Sequence, residues 1–126
     1  MFYIYRTCAV ASTACFIATA AIAQQMTKEE IYNTYSNTTS LSSDGSHVNF
    51  YSPDGVYSST QISTGKNTVG KWYATSEGKI CIEGKTKRCW RITQTKRKIC
   101  FAREGNSACR LKSKFYQGNK TSEFLK

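Results

Sequence analysis

The chain has 126 residues, six cysteines, one histidine and a formal net charge of +10 at pH 7. This length suits one compact domain and not two. The one histidine excludes an HExxH zinc helix and a multi-histidine metal site, and it argues against a Ser-His-Asp triad.

The amino-terminal segment follows the order of a secretory signal peptide. Arg6 lies close to the amino terminus, and the 16 residues from Cys8 to Ala23 carry no charge. That run is shorter than the ~20 residues that cross a bilayer, and it ends in the small-x-small sequence Ala21-Ile22-Ala23. We therefore predict a signal peptide over residues 1–23 with cleavage after Ala23, although a retained membrane anchor is an open alternative. The mature chain is then expected to be periplasmic or secreted, without a transmembrane segment.

A short helix is predicted at the start of the mature chain. Thr27-Lys28-Glu29-Glu30 has the spacing of a capping box, in which the Thr27 hydroxyl accepts from the Glu30 amide and the Glu30 carboxylate accepts from the Thr27 amide. Met26 and Ile31 occupy the two positions of a hydrophobic staple. Ser, Thr and Asn dominate the following residues and do not favour a longer helix. We expect this helix to cover one end of a sheet.

Beyond the helix, turn sequences recur at short intervals. They are Asp44-Gly45, Pro53-Asp54-Gly55, Thr64-Gly65, Glu77-Gly78, Glu83-Gly84 and Glu104-Gly105. Between them, β-branched and aromatic residues alternate with polar ones, which is typical of strands with one buried and one exposed face. We predict strands over residues 37–42, 46–51, 56–62, 69–75, 79–83, 87–94, 98–103 and 108–115. The expected fold is mainly β: a small antiparallel meander of about seven or eight strands that closes as a β-barrel or rolled sandwich, with one short N-terminal helix.

The first half of the mature chain is rich in hydroxyl and amide side chains. Within residues 33–68, 19 of 36 residues are Ser, Thr or Asn. Such strands can line a polar groove for sugars, although they more often form the exposed face of a sheet. We expect the exposed face here.

Four cysteines, Cys81, Cys89, Cys100 and Cys109, belong to the mature chain, residues 24–126. An even number in an exported chain predicts disulfides. A zinc site is disfavoured because the gaps of seven, ten and eight residues lack the C-x2-4-C pairs that position thiolates around one ion. The predicted hairpins place Cys81 opposite Cys89 and Cys100 opposite Cys109, so we predict these two bridges, although four cysteines allow three pairings. We expect a single disulfide-stapled β domain without a metal or a cofactor.

The order of several short motifs resembles a known family. The motifs are Thr27-Lys28-Glu29-Glu30-Ile31, Asn37-Thr38, Tyr51-Ser52-Pro53-Asp54-Gly55, Gly70-Lys71-Trp72, Lys79-Ile80-Cys81, Cys89-Trp90 and Gly118-Asn119. They are similar to those of small exported proteins of Gram-negative, largely alphaproteobacterial origin that are grouped as a domain of unknown function. The resemblance implies a periplasmic or secreted β-barrel-like domain with Cys81 and Cys89 as its usual cysteine pair, and it carries no established catalytic residues to transfer. This chain departs from the pattern in adding Cys100 and Cys109 and in its strong positive charge.

Positive charge is concentrated in the carboxy-terminal half. Residues 24–78 contain three Lys and five Asp or Glu, a balance of −2, whereas residues 79–126 contain fourteen Lys or Arg and three Glu, a balance of +11. The candidate binding residues of this basic face are Lys79, Lys85, Lys87, Arg88, Arg91, Lys96, Arg97, Lys98, Arg110, Lys112 and Lys114. The positive electrostatic potential of such a surface favours the binding of polyanions. The expected partner is an anionic polymer, namely lipopolysaccharide, acidic polysaccharide or nucleic acid, or an acidic protein.

No convergent catalytic set is visible in the sequence. Asp44, Asp54, Glu77, Glu83 and Glu104 lie in or beside predicted turns, where carboxylates commonly bond to the backbone. The four mature cysteines have predicted disulfide partners, and the chain contains no CxxC, GxGxxG or P-loop sequence. We therefore expect a noncatalytic, exported, monomeric binding protein. Two alternatives stay open: a lipocalin-like carrier of a small apolar ligand, and a secreted effector that acts on a host protein.

Overall fold

The structure is a computed structural model that describes residues 23–126. The predicted signal peptide therefore lies outside the described residues, except for Ala23. Within residues 23–126, no helix combines the length and the apolar character that crossing a membrane requires.

Ten antiparallel strands and two short helices make up the described part of the chain. The strands are β1 (Gln24–Gln25), β2 (Thr38–Leu41), β3 (His47–Tyr51), β4 (Val56–Gln61), β5 (Asn67–Ala74), β6 (Lys79–Glu83), β7 (Lys87–Gln94), β8 (Lys98–Arg103), β9 (Asn106–Leu111) and β10 (Tyr116–Gln117). The helices are α1 (Lys28–Tyr35) and α2 (Thr121–Phe124), and a 3-10 turn, Lys112–Lys114, follows β9. The strands form one sheet in the order β10-β2-β3-β4-β5-β6-β7-β8-β9, with β1 paired to β7 beside this path. The sheet curls into an open half-barrel.

The predicted mainly β, antiparallel meander is confirmed, but the prediction was wrong in two details. The sheet has more strands than expected because β1 and β10, of two residues each, carry too little pattern to be recognised. The described sheet also closes neither as a barrel nor as a rolled sandwich. Its path ends at β9 and β10, which do not pair with each other, and the 3-10 turn Lys112–Lys114 follows β9.

The predicted capping box starts α1. The Thr27 hydroxyl accepts from the Glu30 amide at 3.2 Å, and the Glu30 carboxylate accepts from the Thr27 amide at 2.9 Å. Ile31 and Tyr35 form the buried side of the helix, which contacts β2, β5 and β6. The helix therefore fills part of the inside of the half-barrel, and we call the side of the sheet that it covers the concave face.

Trp72 on β5 is the centre of the aromatic core. Its ring centroid lies 5.1 Å from that of Tyr32 and 5.6 Å from that of Tyr51. The indole nitrogen donates to the backbone oxygen of Ser52 at 2.8 Å, so the polar atom of this buried ring is satisfied. The packing of Tyr32 and Tyr51 on Trp72 joins α1, β3 and β5, and it therefore fixes how deeply the helix lies in the curved sheet.

Both faces of β2 and β3 are covered, which the alternation in the sequence did not predict. Tyr51 points to the concave face, while Thr39 and Val48 are fully buried on the other side. The segment around α2 covers them: the Thr39 hydroxyl donates to the Gly118 carbonyl at 2.6 Å and accepts from the Lys120 amide at 2.9 Å. The expected exposed face of these hydroxyl-rich strands is therefore partly an internal contact.

The structure contains both disulfides, Cys81–Cys89 and Cys100–Cys109. Each joins residues that are directly opposite in neighbouring antiparallel strands, with Cα–Cα distances of 4.1 and 4.0 Å. Both bridges lie on the face of the sheet opposite to α1, which we call the convex face. They hold the register of the β6–β7 and β8–β9 hairpins.

Candidate basic binding surfaces

The pleat of the sheet distributes the eleven candidate basic residues over two faces. Arg88 and Arg110 lie on the concave face, because Arg88 is paired with the buried Ile82 and Arg110 with the buried Ile99. The other nine lie on the convex face or in the turns that flank β7 and follow β9. We call these nine the basic stripe: Lys79, Lys85, Lys87, Arg91, Lys96, Arg97, Lys98, Lys112 and Lys114.

The middle of the basic stripe places two like charges directly opposite each other. Lys79 on β6 is the cross-strand partner of Arg91 on β7, an arrangement that destabilises a sheet unless a counter-charge is present. Lys79 reaches Glu77 at 3.6 Å, an exposed pair of small energetic value. Arg91 is exposed and has no carboxylate within 4.0 Å among the described residues. An anion bound between Lys79 and Arg91 would offset their repulsion.

Lys87 extends the stripe along β7. Its ammonium lies 5.7 Å from the ring centroid of Tyr73 and 3.8 Å from the Glu83 carboxylate. A hydrogen bond to Tyr73 raises the pKa of Lys87 above its ordinary value, and Glu83 adds to the effect. A shallow groove of about 700 Å³, lined by Lys79, Lys87 and Arg91 among others, lies beside these side chains.

The turn between β7 and β8 forms the far end of the stripe. The Lys112 amide donates to the Arg97 carbonyl at 2.8 Å, and the Lys112 ammonium donates to the Gln94 side chain at 3.2 Å. These bonds hold the 3-10 turn against exposed Lys96 and Arg97. Among the described residues no carboxylate lies within 4.0 Å of this cluster. The eight residues of β7 span about 26 Å, so the stripe is long and narrow.

The concave face carries a second set of cations, all arginines held on aromatic rings. The guanidinium of Arg88 lies 5.7 Å from the Trp90 ring centroid, and that of Arg110 lies 5.8 Å from the Phe101 centroid. Arg103, which was not among the candidates, also lies 5.7 Å from Trp90. Part of the signal for this set was present in the sequence, because Arg88 is two residues from Trp90 and Arg103 is two residues from Phe101 on the same strand. Arg110 faces Ile99 instead, and its contact with Phe101 is a diagonal one across the hairpin.

A cavity of about 220 Å³ opens on the concave face beside Arg110. Its described lining is Tyr35, Ser40, Leu41, Ser42, Ser43, Asn49, Tyr51, Tyr57, Ile82, Trp90, Phe101, Arg110 and Phe115. Burial raises the pKa of Tyr35 and of Tyr51 well above the ordinary phenol value, and the nearby Arg110 opposes the shift. Both phenols therefore keep their protons at physiological pH. Trp90, half-buried, lines this cavity.

The described residues bring no acid, base or nucleophile set together. Residues 23–126 contain no cluster of three or more His, Cys, Asp or Glu that could hold a metal ion. The Nδ1 atom of His47 lies 2.7 Å from the hydroxyl of its neighbour Ser46. Asp44 accepts from the hydroxyls of Ser42 and Ser46, and the Ser46 bond chiefly lowers the pKa of its carboxyl. These polar groups therefore stabilise a turn.

Together these features define a class: a small antiparallel half-barrel with two hairpin disulfides, basic side chains on its convex face and arginine–aromatic pairs on its concave face. The chain belongs to the family described as "Protein of unknown function (DUF995)", which matches residues 2–118. The resemblance to a family of unknown function is thereby confirmed, while export and bacterial origin stay predictions. No curated protein and no solved structure matches the chain.

Proposed function

We propose that this protein is a noncatalytic binding protein that engages a linear anionic polymer along the basic stripe. The observation behind the proposal is the facing pair Lys79 and Arg91, since Arg91 has no acidic partner among the described residues. A folded domain that keeps like charges opposite each other gains most when an anion lies between them. The elongated shape of the stripe favours a chain of anionic groups over a single ion.

Periplasmic or secreted action is part of this proposal, and so is a monomeric state. The two disulfides support it, because such bonds persist in oxidising compartments. Lipopolysaccharide, acidic polysaccharide and nucleic acid each present anionic groups in series, and an acidic protein segment offers the same chemistry. The salt dependence of binding tests the shared electrostatic feature.

The decisive experiment measures the affinity of the chain from Gln24 to Lys126 for a DNA duplex, for polygalacturonate and for lipopolysaccharide at two salt concentrations. We expect affinity for at least one of them to fall steeply with salt. The Lys79→Gln/Arg91→Gln variant should lower the DNA salt slope by about 2, since each lost phosphate contact removes about 0.9.

The matched control is Lys28→Gln/Lys66→Gln, which removes the same charge from exposed positions on α1 and on the turn before β5. It should leave the slope within experimental error of the native value. Equal effects of the two double variants would show that net charge alone attracts the polymer. Absence of salt-sensitive binding to all three polymers would end the proposal.

The lipocalin-like carrier is less well supported by the geometry. A carrier of this kind requires a large internal cavity, whereas α1 and Trp72 fill much of the half-barrel. The remaining cavity of about 220 Å³ carries Arg110, Asn49 and Ser40 among its aromatic side chains, so its lining does not match a small apolar ligand. The effector alternative has no observation of its own among the described residues.

A further inference from the structure

We infer that the concave face is a separate ligand site, which binds the acidic sugar ring of a uronic acid and one neighbouring sugar. The site does not depend on the proposed function, because no residue of the basic stripe lines the cavity beside Arg110. The two surfaces meet at Arg103, which lines both the groove beside the stripe and the adjoining concave cavity. The inference rests on three features of the cavity beside Arg110: its size, its charge and the chemistry of its walls.

The concave face offers space for two rings. The cavity beside Arg110 measures about 220 Å³, and an adjoining one of about 240 Å³ shares Ser43, Trp90 and Phe101 with it. An enclosed cavity of roughly 150 Å³ holds benzene, so each space accommodates one six-membered ring with its substituents. Because the half-barrel is open, a second ring can remain linked to the first across the shared aromatic side chains.

Charge on this face selects an anion. Of the described residues that line the first cavity, Arg110 alone carries a charge. No carboxylate of the described residues lies within 4.0 Å of its guanidinium. Its guanidinium lies 5.8 Å from the centroid of Phe101, which restricts the side chain before a ligand arrives. A guanidinium presents a planar fork that matches a carboxylate with two parallel hydrogen bonds. Arg103 provides a second cation in the adjoining cavity, where exposed Glu104 lies 3.7 Å from it.

The walls favour a hydroxylated ring over a purely apolar one. Ser40, Ser43 and Asn49 lie among the aromatic side chains of the first cavity. The Tyr57 hydroxyl donates to the Asn49 Oδ1 atom at 3.0 Å, so the amide nitrogen of Asn49 is the remaining donor. Covering such groups with hydrocarbon is unfavourable, because each one loses its hydrogen bonds to water and gains none in return. A sugar ring instead presents hydroxyls to these polar groups and C–H bonds to the aromatic walls of the cavity. The guanidiniums already lie over Trp90 and Phe101, so the sugar contacts the parts of these rings that the arginines leave open.

The first test titrates the chain from Gln24 to Lys126 with D-galacturonate, D-glucuronate, D-galactose and cyclohexanecarboxylate, followed by NMR of backbone and arginine side chains. At least one uronate should perturb Arg110, Trp90 and Phe101 in a saturable way and bind at least tenfold more tightly than galactose and cyclohexanecarboxylate. Its disaccharide should bind at least tenfold more tightly than the single ring, and its tetrasaccharide within about threefold of the disaccharide.

Several outcomes would overturn the inference. If galactose bound as tightly as the uronate, Arg110 would not be recognising the carboxylate. If cyclohexanecarboxylate bound as tightly or more tightly, the site would not be recognising the sugar hydroxyls. Absence of any shift on the concave face would remove the site. A steady gain beyond the disaccharide would contradict a groove for two rings.

Variants separate this site from the basic stripe. Arg110→Gln should abolish the preference for the uronate over galactose, and Arg110→Lys should retain part of it, because the charge persists without the planar fork. Arg91→Gln, on the other face, should leave uronate affinity unchanged. A native chain that binds polymers with salt sensitivity but no uronate would refute this inference and leave the proposed function standing. Uronate binding, together with binding to polygalacturonate that Lys79→Gln/Arg91→Gln leaves unchanged and no binding to DNA or lipopolysaccharide, would refute the proposed function and leave this inference standing, because polygalacturonate itself offers uronate rings to the concave face.

Discussion

Separate removal of the two disulfides is expected to show that they stabilise different parts of the sheet. Cys81–Cys89 joins two central strands, whereas Cys100–Cys109 joins β8 to β9, whose other edge has no partner strand among the described residues. The sequence separations of 8 and 9 give about 2.6 kcal/mol for each bridge from loop-closure entropy. Cys81 is 2% exposed, so its replacement by Ala also removes buried sulfur, on the order of 1 kcal/mol more.

Urea unfolding followed by tryptophan fluorescence measures both effects. The Cys81→Ala/Cys89→Ala variant should lose about 3.5 kcal/mol of unfolding free energy, and the Cys100→Ala/Cys109→Ala variant about 2.6 kcal/mol. In the second variant, amide hydrogen exchange in β9 should accelerate far more than exchange in β5 and β6, because β9 bonds to a single neighbouring strand. A loss below about 1 kcal/mol for either variant, or equal acceleration at β9 in both, would refute this reasoning.

Three further changes test the core, a close backbone approach and a turn. Trp72→Phe should cost about 2–3 kcal/mol in urea unfolding, because it removes buried volume and the indole hydrogen bond; a cost below 1 kcal/mol would contradict the central role of this ring. Gly70→Ala should cost about 1–3 kcal/mol, because its Cβ would lie 2.5 Å from a backbone oxygen of β6, whereas Gly84→Ala, with open space around it, should be nearly neutral. The bond from the Ser46 hydroxyl lowers the pKa of Asp44 in the folded state below its ordinary 3.8. The ionised Asp44 therefore stabilises the folded state fully above pH 3.8, and this contribution is lost as the pH falls through the folded-state pKa. Asp44→Ala should therefore flatten the decline of stability in acid, and a carboxyl that titrates in NMR at or above 3.8 would contradict this.

The parts of the fold that were predictable depend on residues close together in the chain. The capping box of α1 involves Thr27 and Glu30, three residues apart. The register of each cysteine hairpin follows from its turn, so the positions opposite Cys81 and Cys100 were fixed once the turns were recognised. Local chemistry therefore determined the helix start, the meander and the sulfur pairs.

The parts that were missed depend on distant contacts. Strand β1 pairs with Gln94 and its neighbour, about seventy residues away, and two residues carry no periodicity to predict this. The burial of Val48 depends on the carboxy-terminal segment that covers Thr39. Whether a sheet face is exposed is decided by what packs on it, and alternation along one strand cannot report that.

The division of the candidate site has a different origin, which is visible in β7 alone. Lys87, Cys89 and Arg91 point to the convex face, and Arg88 and Trp90 point to the concave face. Composition showed a basic segment, but the pleat sends alternate members to two surfaces with different chemistry. A shift of one residue between β6 and β7 would exchange the two sets and dismantle both surfaces. The bridge between Cys81 and Cys89 prevents that shift, so the disulfide contributes to specificity as well as to stability, by fixing which cations each face presents.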